Sequence, residues 1–293
     1  MKPADILIAV MVAIIWGLAF VASRIALDEL SPELMTALRF AIAAVPCLFI
    51  RKPKIAWSLL IAISFTLFLG QFLAQAYGIA HGVPVGLTSV IVQSQALFTI
   101  GFAVLAFGER PMPVQTLGIA IAAVGLLMIC GTVGYDFSVA AFAVLMISPI
   151  SFAIGNLLLR GARGAPMFDL FAWLCLVSAV PLFVLAVIAN GPAPTRASLT
   201  HMSLTTALCM LALGGISTSI AYWLWGRLLR DYPAAQVVPF ALLVPFVGAG
   251  ASSIVFGEKF GTLRLAGMLT VIGGIAIMLF WRRPQALPKA AGA

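Results

Sequence analysis

Polar side chains that could bind a small molecule lie inside strongly apolar stretches of the sequence. Gln93, Ser94 and Gln95 are consecutive in one such stretch. An amide that lacks a hydrogen-bonding partner is costly away from water. Since Gln93 and Gln95 lie about 200° apart around a helix, they cannot share one face. We expect one of them to line a wet cavity while the other bonds a neighbouring helix, although both could serve only to join helices.

Other apolar stretches carry amides, hydroxyl groups and aromatic rings that could contact the same ligand. Gln71 and Gln75 are four residues apart and therefore share a helix face. Trp16 and Tyr77 are expected deep in the membrane, where an indole needs a polar partner or a cavity. The remaining candidate binding residues are Ser151, Asn156, Tyr222 and Trp223. Such groups suit a small zwitterion with an apolar side chain.

Four further residues are candidates for coupling or gating. Arg39 lies within the second apolar stretch, where a charge costs roughly 2.5–3.5 kcal/mol if it is central. Its side chain could extend to the membrane surface, pair with a substrate carboxylate or bond a helix C-terminus. His81 lies near a helix end. Pro149 and Pro239 each remove a backbone hydrogen bond and therefore predict kinks.

The composition indicates an all-α membrane protein. Of the 293 residues, 63% are hydrophobic and only 9% are charged, and the mean hydropathy is +1.15. A soluble domain typically has about 25% charged residues. The four cysteines lie singly, without the spacing of a zinc site. We expect no metal, no cofactor and no nucleic-acid partner, because the net charge of +8 is spread over loops.

The elements that must position these residues are ten membrane-spanning helices, since each crossing needs about 20 apolar residues. They are predicted at residues 5–27, 32–50, 56–80, 84–107, 112–131, 137–160, 167–190, 205–229, 234–256 and 261–281. Residues 190–201, rich in Pro, Ser and Thr, are predicted to form a loop. With the N-terminus inside, cytoplasmic Lys and Arg outnumber external ones by twelve to four. This bias predicts that both termini are cytoplasmic.

The two halves of the chain resemble each other at an offset of 149 residues. Phe107-Gly108-Glu109 then aligns with Phe256-Gly257-Glu258, and Pro84 with Pro233. We expect both glycines to end helices, with Glu109 and Glu258 anchored among lipid headgroups. Aligned glycines at 101 and 250, and at 118 and 267, should let helices pack closely.

Five helices in each half imply two repeats of opposite orientation, an arrangement common in secondary transporters. The predicted units are residues 1–133, residues 134–284 and a cytoplasmic tail at 285–293. A cavity is expected between the repeats, built mainly by helices 1, 3, 4, 6, 8 and 9. Helices 5 and 10 are almost wholly apolar and should lie outside it.

Short motifs at matching places resemble the EamA family of the drug/metabolite transporter superfamily. They are Trp16-Gly17, Leu38-Arg39-Phe40 and the paired FGER and FGEK. The stretch from GQFLAQAYGIAHGVPVGLTS to FGERP is most similar to bacterial exporters of cysteine and O-acetylserine, with aromatic amino acid exporters close behind. The resemblance covers essentially the whole chain. It implies ten helices, two inverted repeats and export of amino acids across the inner membrane.

The expected function is secondary transport of cysteine derivatives, aromatic amino acids or other apolar amino acids. All nine acidic residues lie at or near predicted helix ends, which favours a facilitative carrier. The alternative is a proton antiporter in which His81 or a helix-end carboxylate carries the proton. An intramembrane enzyme is disfavoured because the sequence contains neither GxSxG nor HExxH. A channel is disfavoured because the two halves differ in their polar positions.

Overall fold

Helices make up almost all of the computed structural model, which describes residues 1–108, 111–132, 137–162 and 164–280. No strand occurs in these four ranges. Glu109, Arg110 and the tail at 285–293 lie outside the described residues, as does the predicted boundary between 133 and 134. We number the ten helices that correspond to the predicted spans as α1 Pro3–Ala26, α2 Pro32–Ala43, α3 Trp57–Ala80, α4 Val85–Phe107, α5 Pro113–Cys130, α6 Val139–Ala162, α7 Met167–Asn190, α8 Leu204–Asp231, α9 Val238–Phe256 and α10 Thr262–Phe280.

Nine of these ten helices are long and apolar enough to cross a membrane, counting only the residues that the structure describes. The exception is α2, which has 12 residues and continues as a 3₁₀ turn at Val45–Leu48. The predicted span at 32–50 is therefore broken. Pro46 explains the break, because its nitrogen has no proton for the α-helical bond and its ring clashes with the preceding turn.

Residues 190–201 correct the sequence prediction of a loop. A short surface helix, Pro192–Thr200, occupies most of this segment. Gly191 precedes it with a φ of +86°, a left-handed value that favours glycine. Pro192 occupies the first turn, where its fixed φ suits a helix and its missing N–H costs nothing. The prediction of a loop treated proline as a loop residue, although proline is favourable in the first turn of a helix.

Irregular helical segments recur at equivalent places in the two halves. A π-helical segment, Ser64–Gly70, lies inside α3, and its counterpart Ala212–Ile220 lies inside α8. The α-helix of α4 is interrupted at Ser94, and α9 begins with a 3₁₀ segment, Val238–Leu242. These coincidences extend the sequence repeat to the backbone. The fold is two inverted five-helix repeats.

The ends of α4 and α9 show how the shared FGE motif works. Gly108 and Gly257 follow the two helices with φ of +62° and +68°, so both glycines end a helix as predicted. Glu258 was expected to be anchored among lipid headgroups, but its carboxylate instead bonds the protein backbone. It accepts hydrogen bonds from Val85 N at 2.6 Å and Gly86 N at 3.0 Å. An acidic group there satisfies free N–H groups at the start of α4.

Small residues allow the two repeats to pack closely along α5 and α10. A Cβ placed on Gly118 would lie 2.7 Å from the Gly274 carbonyl oxygen, and one on Gly267 would lie 3.0 Å from the Gly125 oxygen. These backbones therefore approach as closely as glycine permits. The same expectation was wrong for the glycines at 101 and 250, which have open space beside them.

Polar contacts tie both ends of α8 to the first repeat. Beyond its C-terminus, the Tyr232 hydroxyl donates to Asp5 Oδ2 at 2.7 Å, and Arg227 Nη2 lies 3.6 Å from Asp5 Oδ1. The bond to Asp5 raises the pKa of Tyr232, because it holds the phenolic proton. Before its N-terminus, Ser203 N donates to Glu29 at 2.9 Å. Hydrogen bonds from Ser203 lower the pKa of Glu29 by stabilising its ionised form.

Candidate functional site

Trp16 and Tyr222 lie together in an aromatic cluster between α1 and α8. The centre of the Trp16 ring lies 5.3 Å from that of Tyr222 and 5.1 Å from that of Trp225. Trp16 Nε1 donates to the Ser217 carbonyl oxygen at 3.1 Å. The indole therefore has the polar partner that a tryptophan deep in an apolar region requires. Trp225 was not among the predicted site residues, since tryptophans near helix ends usually belong to the membrane interface.

A small aromatic cavity lies beside this cluster. Tyr222 and Trp223, both predicted site residues, line it. The other main lining residues are Phe68, Phe171, Cys175, Thr218 and Ser219. Sequence reasoning passed over the two phenylalanines, because a phenylalanine in an apolar stretch is indistinguishable from a core residue. The ring centre of Phe171 lies only 5.2 Å from that of Tyr222.

A second, basic cavity, which is narrow in this conformation, lies between α1, α2 and α3. Its polar lining consists of Ser23, Thr36, Arg39 and Gln75, and Phe72 supplies an aromatic wall. Among these, Arg39 and Gln75 were predicted as functional residues. Both cavities use α2, and the aromatic cavity uses α7, although neither helix was among those expected to build most of the cavity. No described residue of α4, α6 or α9 lines either of these two cavities.

Arg39 is buried, with 4% of its surface exposed. Its Nε donates to Thr218 Oγ1 at 3.0 Å, and its Nη2 donates to Ser217 Oγ at 3.3 Å. The guanidinium carbon lies 4.4 Å from the centre of the Phe72 ring, a cation–π distance. The side chain does not extend to the membrane surface. No carboxylate of the described residues lies within ion-pair distance of it.

The π-helical segment of α8 supplies the partners of both Trp16 and Arg39. Ser217 offers its carbonyl oxygen to Trp16 and its hydroxyl to Arg39. Thr218 Oγ1 donates its own proton to Leu213 O at 2.8 Å, which leaves its lone pairs for Arg39. A π-helix differs from the i→i+4 pattern and is frequent at functional sites. Side-chain donors to its carbonyl groups satisfy this altered backbone.

The π-helical segment of α3 is satisfied in the same way by α6 and α7. Ser151 Oγ donates to the Thr66 oxygen at 2.8 Å, and Ser178 Oγ shares its proton between the Leu174 oxygen at 2.8 Å and the Ser64 oxygen at 3.2 Å. The predicted site residue Ser151 therefore contacts backbone and lines neither cavity.

Three other predicted site residues also lie away from both cavities. Asn156 is half-buried on α6, and Pro149 is buried within the same helix. Pro239 lies in the 3₁₀ segment that begins α9. None of the three lines the aromatic or the basic cavity.

The amides of α3 are buried on one side of the helix. Gln71 and Gln75 expose only 5% and 6% of their surface. Gln71 Oε1 is buried without a hydrogen-bond partner in the described part of the chain. Gln75 lines the basic cavity, and no hydrogen bond joins its amide to another described residue. A buried amide oxygen without a partner, such as that of Gln71, is uncommon and calls for a functional explanation.

The amides of α4 lie on different sides of the interruption at Ser94. Gln93 Nε2 donates to the Ala241 carbonyl oxygen of α9 at 2.8 Å. Gln95 Oε1 is buried without a partner among the described residues. Ser94 Oγ donates to Ile91 O at 2.6 Å. Neither glutamine lines either of the two cavities. Since α4 and α9 belong to different repeats, the bond from Gln93 joins one repeat to the other.

A carboxylate of α2 bonds Tyr77, whose ring stacks on that of His81. The Tyr77 hydroxyl donates to Glu33, which exposes only 2% of its surface. The Tyr77 and His81 rings stack with their centres 5.5 Å apart, and His81 is exposed. Glu33 belongs to the first turn of α2, at a helix end as predicted. Its burial was not predictable from that position.

Metal binding finds no support in the described ranges of the chain. No group of three His, Cys, Asp or Glu side chains is placed to hold an ion there. All four cysteines are free thiols. The chemistry available in the two cavities is that of hydroxyl groups, an amide, a guanidinium, the Cys175 thiol and aromatic rings.

Comparisons with known proteins agree with this architecture. A probable amino-acid metabolite efflux pump of Salmonella typhimurium is 30% identical over 299 residues, which cover 100% of both chains. Its namesake in Escherichia coli K12 is 31% identical, over 97% of this chain and 98% of the relative. A probable terminal-alkyne amino-acid exporter of Streptantibioticus cattleyicolor is 26% identical over 92% of this chain and 91% of its own.

Fold comparison and family matching complete the assignment. A crystal structure with 16% identity has a TM-score of 0.65, and the match covers 94% of this chain and 96% of the other. The EamA-like transporter family matches twice, at residues 4–131 and 139–280. The chain belongs to the EamA-like transporter family.

Proposed function

We propose that the protein is a facilitative secondary transporter that exports amino acids or related small metabolites across the inner membrane by alternating access. Membership of the EamA-like transporter family supports transport. The printed names of the efflux pump relatives and of the terminal-alkyne amino-acid exporter support amino acids as substrates. The excess of Lys and Arg on one side of the predicted helices supports cytoplasmic termini.

The observation that carries the proposed substrate class is the pairing of an aromatic and a basic cavity through Thr218. This residue lines the aromatic cavity and bonds Arg39 of the basic cavity. Aromatic walls favour an apolar side chain, whereas a guanidinium and an amide favour a zwitterionic end. Cysteine derivatives, aromatic amino acids and other apolar amino acids combine these features.

A facilitative mechanism is supported by the chemistry of the two cavities. Neither contains an Asp, Glu or His among its described lining residues. A proton carrier needs a group that changes charge within the transport path. Transport by this protein would therefore follow the gradient of the substrate itself.

Proton antiport is the alternative, and one contact favours it. Glu33 is buried and accepts a hydrogen bond from Tyr77, whose ring stacks on that of His81. A buried carboxylate linked through a tyrosine to an exposed histidine could pass a proton between water and the protein interior.

Counterflow in sealed proteoliposomes distinguishes the two mechanisms. We expect labelled L-phenylalanine or L-cysteine to exchange equally with and without an imposed pH gradient, because no Asp, Glu or His among the described residues lines either cavity. Uphill accumulation driven by the gradient, and lost in Glu33→Gln or His81→Gln, would instead establish antiport. Absence of exchange for every amino acid tested would contradict the proposed substrate class.

A further inference from the structure

Arg39 carries a positive charge that no negatively charged side chain among the described residues neutralises. Removing a guanidinium from water costs several kcal/mol unless an anion and further hydrogen bonds compensate. Its hydrogen-bond partners are the hydroxyl oxygens of Thr218 and Ser217, which are neutral. The Phe72 ring contributes a cation–π contact, but no described carboxylate pairs with it. The site is therefore suited to receive an anion.

The donor groups of Arg39 are only partly used. A guanidinium has five N–H donors in a planar fork that matches a carboxylate. Two contacts, from Nε and Nη2, go to hydroxyl oxygens of α8. These contacts and the Phe72 ring fix the plane of the fork. Arg39 also lines the basic cavity, so its remaining donors are available to a ligand there.

Gln75 supplies a second group with unused hydrogen-bonding capacity. It is 6% exposed, lines the same cavity as Arg39 and forms no hydrogen bond with another described residue. An amide oxygen accepts hydrogen bonds from an ammonium group. Ser23 and Thr36, the other polar lining residues, already donate to the carbonyl oxygens of Ala19 and Pro32. Arg39 and Gln75 are therefore the groups of this cavity that most need a ligand.

We propose that the basic cavity holds the zwitterionic end of an amino acid, with Arg39 binding its carboxylate and Gln75 accepting from its ammonium group. This inference rests on the proposed function and adds the site that recognises the substrate class. The cavity contains an arginine and an amide but no acidic side chain among its described lining residues. It should therefore discriminate strongly between a free carboxylate and an uncharged derivative.

The test measures competition in proteoliposome counterflow with labelled L-phenylalanine. Competitors are unlabelled L-phenylalanine, its primary amide, which lacks the carboxylate, and N-acetyl-L-phenylalanine, which lacks the ammonium. L-cysteine with its corresponding derivatives serves as a second set. In the wild type, we expect the free amino acid to compete about tenfold or more better than its amide, the order of one charge-assisted hydrogen bond.

Variants assign the two ends of the ligand. Arg39→Gln should reduce the preference over the amide to within about twofold, and Arg39→Lys should give an intermediate ratio, because lysine keeps the charge but loses the fork. Gln75→Leu should lose the preference over the N-acetyl derivative and keep the preference over the amide. Arg264→Lys is the matched control, since Arg264 is also buried and bonds Thr132 but lies outside the cavity. It should keep the wild-type ratios.

The outcomes separate this proposal from the proposed function. A wild-type protein that exchanges the free amino acid but does not prefer it to its amide overturns the carboxylate subsite alone. Arg39→Gln with an unchanged preference does the same. If Arg39→Gln fails to insert, the wild-type and Arg39→Lys ratios still decide. Failure of the wild type to exchange any amino acid overturns the proposed function itself.

Discussion

Gly274→Ala should destabilise the protein, whereas Gly273→Ala should not. A Cβ on Gly274 would lie 2.5 Å from Ala122 N and 2.6 Å from the Gly118 carbonyl oxygen. These are backbone atoms and cannot rotate away, so α5 and α10 would have to separate. Overpacking of this kind typically costs about 1–3 kcal/mol. The measurement is the unfolding temperature of the purified protein in detergent.

Gly273 provides the control for this prediction within the same helix. A Cβ there meets nothing within 4 Å. Alanine also has a higher helix propensity than glycine, so Gly273→Ala should unfold at or above the wild-type temperature. Equal unfolding temperatures for the two variants would contradict the close approach of α5 and α10.

Trp16→Ala should lower transport about tenfold without preventing membrane insertion. The change removes the hydrogen bond to Ser217 and the ring contacts with Tyr222 and Trp225. Loss of about 1.4 kcal/mol corresponds to a tenfold effect, which is within reach of one hydrogen bond and an aromatic contact. The initial rate of labelled amino acid exchange in proteoliposomes measures it, after normalisation to inserted protein.

Two variants show whether the effect belongs to this position. Trp16→Phe keeps a ring but loses the N–H group, so its rate should fall between those of Trp16→Ala and the wild type. Trp57→Ala removes an exposed tryptophan that makes an edge-to-face contact with Trp173 and lines neither cavity. It should transport at the wild-type rate. A wild-type rate in Trp16→Ala would show that the aromatic cluster only joins helices.

The number of helices and the repeat were predictable because they depend on averages over many residues. About 20 apolar residues define a span. Shifting the chain by 149 residues aligns the two FGE motifs, and the fold places both at equivalent helix ends. Local breaks were less predictable. Pro46 shortened α2, and Pro192 began a helix, although both are the same residue type. The difference is the position of each proline relative to a helix start, which depends on its neighbours.

The composition of the cavities could be predicted only in part. Arg39, Gln75 and Tyr222 attract attention because such residues are unusual at membrane depth. Their partners do not. Ser217 is an ordinary small residue of a membrane helix, and its importance comes from a π-helical segment that no sequence pattern announced. Apolar walls such as Phe171 are likewise defined by what lies opposite them.

The hydrogen bond from Gln93 to Ala241 makes the molecule chemically asymmetric about its internal axis. At the offset of 149, Gln93 corresponds to Leu242 and Ala241 to Val92. Leucine cannot donate a hydrogen bond, so exchanging the conformations of the two repeats cannot recreate this contact. Under the proposed alternating-access mechanism, we expect the opening direction that keeps this bond to be favoured by about 1 kcal/mol, the value of one such bond. Gln93→Leu should bring the two directions closer to equal occupancy, measured as thiol labelling of single-cysteine variants from each side of the membrane.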